Sequence, residues 1–118
     1  MRSVSVIGIG ETKIGRYPDR SLRGLILEAG EKAIADAGIG REDVNALFMS
    51  NFNSQFLCGQ GHIGPLASEI LGLGSIPAIR IEGACASGSL AFRQALISVA
   101  SGMYDIVLVG GTSQRTTW

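Results

Sequence analysis

The chain has 118 residues, 46% of them hydrophobic and 17% charged, a composition that fits one packed domain and excludes a disordered polyelectrolyte. Ten Lys and Arg balance ten Asp and Glu without a basic run, so nothing marks a binder of nucleic acid or of an anionic membrane surface. No stretch approaches the ~18 consecutive apolar residues of a membrane span, and Glu11 and Lys13 stand where a signal peptide would need its cleavage site.

Residues 3–10, SVSVIGIG, predict a first strand, followed by a polar loop closed by Pro18. Leu22, Leu25, Ile26, Ala29, Ala33, Ile34 and Ala37 then recur at helical spacing. Asp19 or Ser21 can cap the start and Gly38 the end, which predicts a helix over residues 21–37. Residues 46–52 predict a strand, 63–71 a helix and 78–84 a strand. Phe92, Leu96, Val99 and Met103 place an amphipathic helix over 87–101, and the nearly all-apolar 105–110 reads as a strand covered on both faces. Alternation of strand and helix through short loops predicts an α/β fold, βαβαβαβ in order, with a mainly parallel sheet between helices. The sequence stops just past a buried-type strand, and the expectation is an incomplete fragment of a larger fold.

Two glycine-rich stretches near the N-terminus resemble nucleotide-binding loops without meeting their geometry. After Gly8 and Gly10 the third glycine of a dinucleotide fingerprint is replaced by Lys13, and the helix starts only beyond Pro18. Gly10 and Gly15 have phosphate-loop spacing, but Arg16 and Tyr17 replace the required Lys and hydroxyl. These glycines read as the makers of a tight turn after the first strand. Cys58 reads as a small buried hydrophobe and His62 as a surface or helix-start residue. With no CxxC and a single His, neither a zinc site nor a disulfide framework fits. A reducing, cytoplasmic setting is expected.

Cys85 has more specific surroundings. It lies where a strand must turn into a helix, and Gly83, Ala84, Ala86, Ser87 and Gly88 are all small, leaving the thiol open. The pattern Gly83-x-Cys85-x-Ser87 is that of a nucleophile elbow with Cys in place of Ser. Unpaired N–H groups of a first helical turn stabilise negative charge, but by at most ~2 kcal/mol, so a general base is still required. An acyl-cysteine is a thioester close in free energy to a coenzyme A thioester. A nucleophilic Cys here therefore points to reversible acyl exchange or carbon–carbon bond formation rather than hydrolysis.

From Ile81 to Gly111, IEGACASGSLAFRQALISVASGMYDIVLVGG, the sequence resembles the thiolases, and among them the sterol-carrier-protein-type and prokaryotic acetyl-CoA acetyltransferases. Cys85, Ala86, Ser87 and Gly88 match the family's C-A-[ST]-G context, and Gly110-Gly111 its strand end. VSVIGIGETKIGRY and EAGEKAIADAGI look like the family's beginning, so the likeness covers essentially all of residues 1–118 as the N-terminal part of the thiolase N-terminal domain. The tail TSQRTTW departs from the family's usual continuation.

The resemblance implies an acyl-CoA:CoA C-acyltransferase of fatty acid metabolism acting on acetyl-CoA and a 3-ketoacyl-CoA. Cys85 would take the acyl group, and its backbone N–H would help hold the oxyanion. No permanently bound cofactor is implied, coenzyme A thioesters being substrates. A homodimer or homotetramer is implied, with the strand before Cys85 at the subunit interface. The family's catalytic His and second Cys come from its C-terminal half, which these residues do not include, so the chain alone is expected to be inactive. The alternatives are a condensing enzyme such as a ketoacyl synthase or hydroxymethylglutaryl-CoA synthase, a hydrolase with a Cys elbow, and a non-catalytic scaffold subunit of the same fold.

Overall fold

The computed structural model describes residues 1–113, so the last five residues of the tail lie outside it. Helix α1 spans Leu22–Ala37 and strand β1 Ala46–Ser50. A single turn, α2, covers Ser54–Leu57, and α3 follows at Ile63–Leu71. Strand β2 is Ala78–Ile81, α4 is Ser87–Ala100, and β3 is Val107–Gly111. The three strands form a parallel sheet in the order β2-β1-β3, with Leu47 opposite Ala78 on one side and Leu108 on the other. Consecutive parallel strands need a crossover, and the helices supply it.

Alternation along β1 divides the core into two layers. Leu47 and Met49 pack with Leu22, Ile26 and Ile34 of α1 and with Ile63, Leu66 and Leu71 of α3. Ala46 and Phe48 point to the opposite face, where Ala95 of α4 covers them with Val107 and Val109 alongside. All five residues of β1 are buried, as expected for the central strand of a parallel sheet covered on both faces. The α/β class and the helix–sheet–helix layering thus follow the sequence pattern.

Helix α1 begins where Ser21 Oγ accepts the Gly24 N–H at 3.1 Å and ends on Gly38, whose φ of 68° needs a residue without a Cβ. At α3, a Cβ on Gly64 would stand 2.8 Å from the backbone of Ile79. Glycine at that position lets the helix lie directly on β2.

The expected first strand is a correction. Residues 3–10 join no ladder among the described residues. Their path is nonetheless extended: Gly8 sits against Ala33 and Ala37, and Gly10 against Ala29 and Ala33. Two residues therefore advance one helical turn, about 5.4 Å, close to the ~3.3 Å per residue of a strand. The segment runs antiparallel to α1 and is held to it by close packing in place of backbone pairing. A Cβ at Gly8 would lie 2.6 Å from Ala33 O and one at Gly10 2.4 Å from Ala29 O, so both glycines serve close approach to a helix and not a tight turn. The other strands are shorter than expected at one or both ends. The largest change is at β2, which stops at Ile81 because the backbone has already begun to turn at Glu82 and Gly83.

Candidate active site

The sheet ends in a cluster of small residues at its carboxyl edge, the side on which open α/β sheets bind ligands. Ser50 closes β1, and its Oγ donates to Gly110 O of β3 at 3.2 Å. A Cβ on Gly111 would come within 2.4 Å of Ser50 Oγ and one on Gly88, in the first turn of α4, within 3.9 Å of it. Glycine at 111 is needed for this approach.

Beside this cluster, β2 turns into α4 through a short 3-10 turn, Ala84–Ala86, that contains Cys85. A set of hydrogen bonds fixes the turn. Ala86 N–H donates to Gly83 O at 3.0 Å. The buried Ser87 accepts Gly83 N–H at 2.9 Å and donates through Oγ to Ala84 O at 2.7 Å. The Glu82 carboxylate accepts the Ala84 N–H. Ala84 itself has φ 51°, the one positive φ outside glycine among the described residues, a conformation that costs an L-residue about 1–2 kcal/mol. Contacts on both its N–H and its C=O hold it there.

The product of this local strain is an exposed thiol. Cys85 is solvent-accessible, its flanking Ala84 and Ala86 are too small to cover it, and among the described residues nothing hydrogen-bonds to its Sγ. The N-cap position of α4 is Ala86, which provides no side-chain hydrogen bond, so the positive end of a 14-residue helix is left without a capping side chain immediately after the thiol. An accessible sulfur beside a helix start is suited to nucleophilic attack on a carbonyl, where backbone N–H donors stabilise the oxyanion that forms.

The other sequence candidates occupy different roles. Cys58 is half-buried, donates from Sγ to Ser54 O at 3.2 Å and packs against the main core, in keeping with a small hydrophobe. His62 is exposed at the start of α3, where its N–H donates to Gln60 Oε1 at 2.8 Å. Neither touches Cys85 through a hydrogen bond among the described residues.

Two residues that sequence reasoning passed over organise the loop after β1. Arg80, in the middle of β2, donates from Nε to Asn51 O at 3.0 Å, from Nη2 to Phe52 O at 3.0 Å and from Nη1 to Gln55 Oε1 at 3.1 Å. The nearly fully buried Asn51 accepts Ser54 N–H at 2.8 Å and donates from Nδ2 to Thr112 O at 2.7 Å. Together they tie β2, the end of β3 and the loop after β1 to one another. The available signal was a lone Arg between two Ile residues in an apolar strand.

Residues 4–117 match the family described as Thiolase, N-terminal domain. The chain belongs to the thiolase family. It is 50% identical over 116 residues to an acetyl-CoA acetyltransferase of Methanocaldococcus jannaschii, covering 98% of this chain and 30% of that protein. It is 44% identical over 116 residues to an acetyl-CoA acetyltransferase of Methanothermobacter thermautotrophicus, with the same coverage of both chains. The chain thus spans about 30% of the length of these curated relatives. The solved acetyl-CoA acetyltransferase of Syntrophomonas wolfei superposes with a TM-score of 0.72 at 23% identity, over 88% of this chain and 27% of that one, which is a likeness of fold. Among the described residues, no helix is long and apolar enough to cross a membrane.

Proposed function

We propose that this thiolase chain supplies the acyl-accepting nucleophile of an acyl-CoA:CoA C-acyltransferase, and that Cys85 is that nucleophile. The supporting observation is the exposed Cys85 thiol on the strained corner between β2 and α4, at a helix start with no capping side chain. In the proposed reaction, the Cys85 thiolate attacks the 3-keto carbonyl of a 3-ketoacyl-CoA, or the thioester carbonyl of acetyl-CoA, and the electron pair moves onto oxygen. Collapse of this adduct breaks a carbon–carbon or carbon–sulfur bond. The departing acetyl-CoA carbanion or CoA thiolate takes up a proton, and the acyl group stays on Cys85 as a thioester. Attack by CoA, or by an acetyl-CoA carbanion, then frees the cysteine. The Cys85 N–H, just before α4, would face the oxyanion, the Ala86 and Ser87 N–H groups being already given to Gly83 O and Ala84 O.

The same reading assigns residues 1–118 to the N-terminal part of the thiolase N-terminal domain, in a cytoplasmic homodimer or homotetramer with no permanently bound cofactor. Among the described residues no side chain hydrogen-bonds to Cys85 Sγ as a general base would, and the 118-residue chain alone is expected to show no turnover. The test is a chimaera in which residues 1–118 replace the matching portion of the Methanocaldococcus relative. Thiolysis of acetoacetyl-CoA should survive in the chimaera and fall by at least about a thousandfold in Cys85→Ala, while Cys58→Ala retains it. A chimaera in which Cys85→Ala keeps full activity would refute the assignment.

A further inference from the structure

From Gly83 to Ser87, every backbone N–H of the corner between β2 and α4 has a partner among the described residues except that of Cys85. Gly83 N–H donates to Ser87 Oγ at 2.9 Å and Ala86 N–H to Gly83 O at 3.0 Å. Ala84 N–H donates to the Glu82 carboxylate, and Ser87 N–H to Ala84 O. The peptide plane that carries the Cys85 N–H also carries Ala84 O, and a trans peptide points the two in opposite directions. Ala84 O is drawn inward by the hydroxyl of Ser87, which is buried. The Cys85 N–H therefore points out of the corner, next to an exposed thiol.

The direction of that plane depends on Ala84, whose φ of 51° is a conformation that an L-residue leaves for negative φ unless it is held. The preceding plane is gripped at both ends, its carbonyl by Ala86 N–H and its own N–H by Glu82. Glu82 is exposed and joins no ion pair among the described residues. Its carboxylate is thus committed to one backbone donor, two positions along the chain. Glycine at position 84 would reach the same φ without a carboxylate, but it would leave the corner free to move. Alanine held by a neighbouring side chain fixes a single arrangement, and strain retained in this way is typical of sites where geometry serves function.

We propose that Glu82 is a positioning residue for acyl transfer: by accepting the Ala84 N–H it holds the strained corner that aims the unpaired Cys85 N–H at the oxygen of the carbonyl under attack. This inference rests on the reading of Cys85 as the nucleophile. When the thiolate attacks acetyl-CoA, the carbonyl electron pair moves onto oxygen and needs that donor. Collapse then expels the CoA thiolate, which takes up a proton, and leaves the acetyl group on sulfur. Iodoacetamide makes no such demand, because the same thiolate displaces iodide from a methylene carbon and no oxygen gains charge. Acetylation compared with alkylation therefore separates the aim of the N–H from access to the thiol.

The test uses the chimaera that carries residues 1–118 in the Methanocaldococcus relative. Glu82→Ala should slow acetylation of Cys85 by acetyl-CoA roughly fivefold to thirtyfold, the factor by which an L-residue disfavours the left-handed region. Alkylation should not slow, since removing a carboxylate does not disfavour a thiolate. Glu82→Gln keeps an acceptor oxygen at the same reach and should stay within about threefold of the parent. In the Ala84→Gly background the loss caused by Glu82→Ala should shrink below about threefold, because glycine takes this φ unaided. Equal acetylation in Glu82→Ala, a parallel fall in alkylation, a Gln variant as slow as the Ala variant, or an undiminished loss in the glycine background would overturn the role of Glu82 alone. A parent chimaera that turns over substrate with Cys85 never acetylated would overturn the nucleophile reading and this inference with it.

Discussion

The hydroxyl of Ser87 donates to the carbonyl of Ala84 at 2.7 Å and closes the turn that carries Cys85. Because the same oxygen accepts Gly83 N–H, Ser87→Ala removes two hydrogen bonds from a corner in which Gly83 is half-buried and Ala84 exposed. The expected loss is about 1–3 kcal/mol, read from the urea midpoint at unchanged m-value. A loss below about 0.5 kcal/mol would mean that water replaces the hydroxyl and that the turn is not held by it.

At the neighbouring Ala84 the usual cost of glycine is reversed. A residue at φ 51° is strained with a Cβ and relaxed without one, and the gain in the folded state outweighs the added freedom of the unfolded chain. Ala84→Gly should therefore preserve stability or raise it by up to about 1 kcal/mol. Destabilisation of that size in the same urea titration would show that φ at this position is not positive.

The two thiols should differ in access. Cys85 is exposed, whereas Cys58 is half-buried and donates to Ser54 O. Under native conditions an aromatic disulfide reagent should modify Cys85 at least about tenfold faster than Cys58, and in denaturant the rates should converge. Cys85→Ser should remove the fast phase alone. Equal native rates would contradict the open corner.

Contact between α3 and β2 leaves no space at Gly64, where a Cβ would lie 2.8–2.9 Å from backbone atoms of Ile79 and Arg80. Backbone cannot rotate away as a side-chain tip can, so Gly64→Ala should cost about 1–3 kcal/mol. Thermal unfolding measures it, and an unchanged midpoint would place α3 farther from the sheet.

The sequence patterns that proved legible share a physical cause. Leu22, Ile26 and Ile34 repeat at helical spacing between Ser21 and Gly38, so local capping and the buried face of α1 specify the same helix. Cys85 stood out because a run of small residues at a strand-to-helix junction is hard to explain by packing. Pairing of the first segment was not legible: Val4, Val6 and Ile9 have strand character, but a ladder needs a neighbour, and the edge of β3 lies across a cleft from it. Equally hidden was the role of Arg80, whose fork spans backbone carbonyls 28 and 29 positions away, and the positive φ of Ala84, which is imposed by Glu82 and Ser87 and not by its own preference.

The central claim is that Cys85 takes up the acyl group, and mass spectrometry of the chimaera, quenched after mixing with acetyl-CoA alone, tests it most directly. The account predicts an acetyl thioester on the peptide containing Cys85, removed by added CoA and absent in Cys85→Ser. An active chimaera whose acetyl group is found on another residue, with Cys85 unmodified, would contradict it.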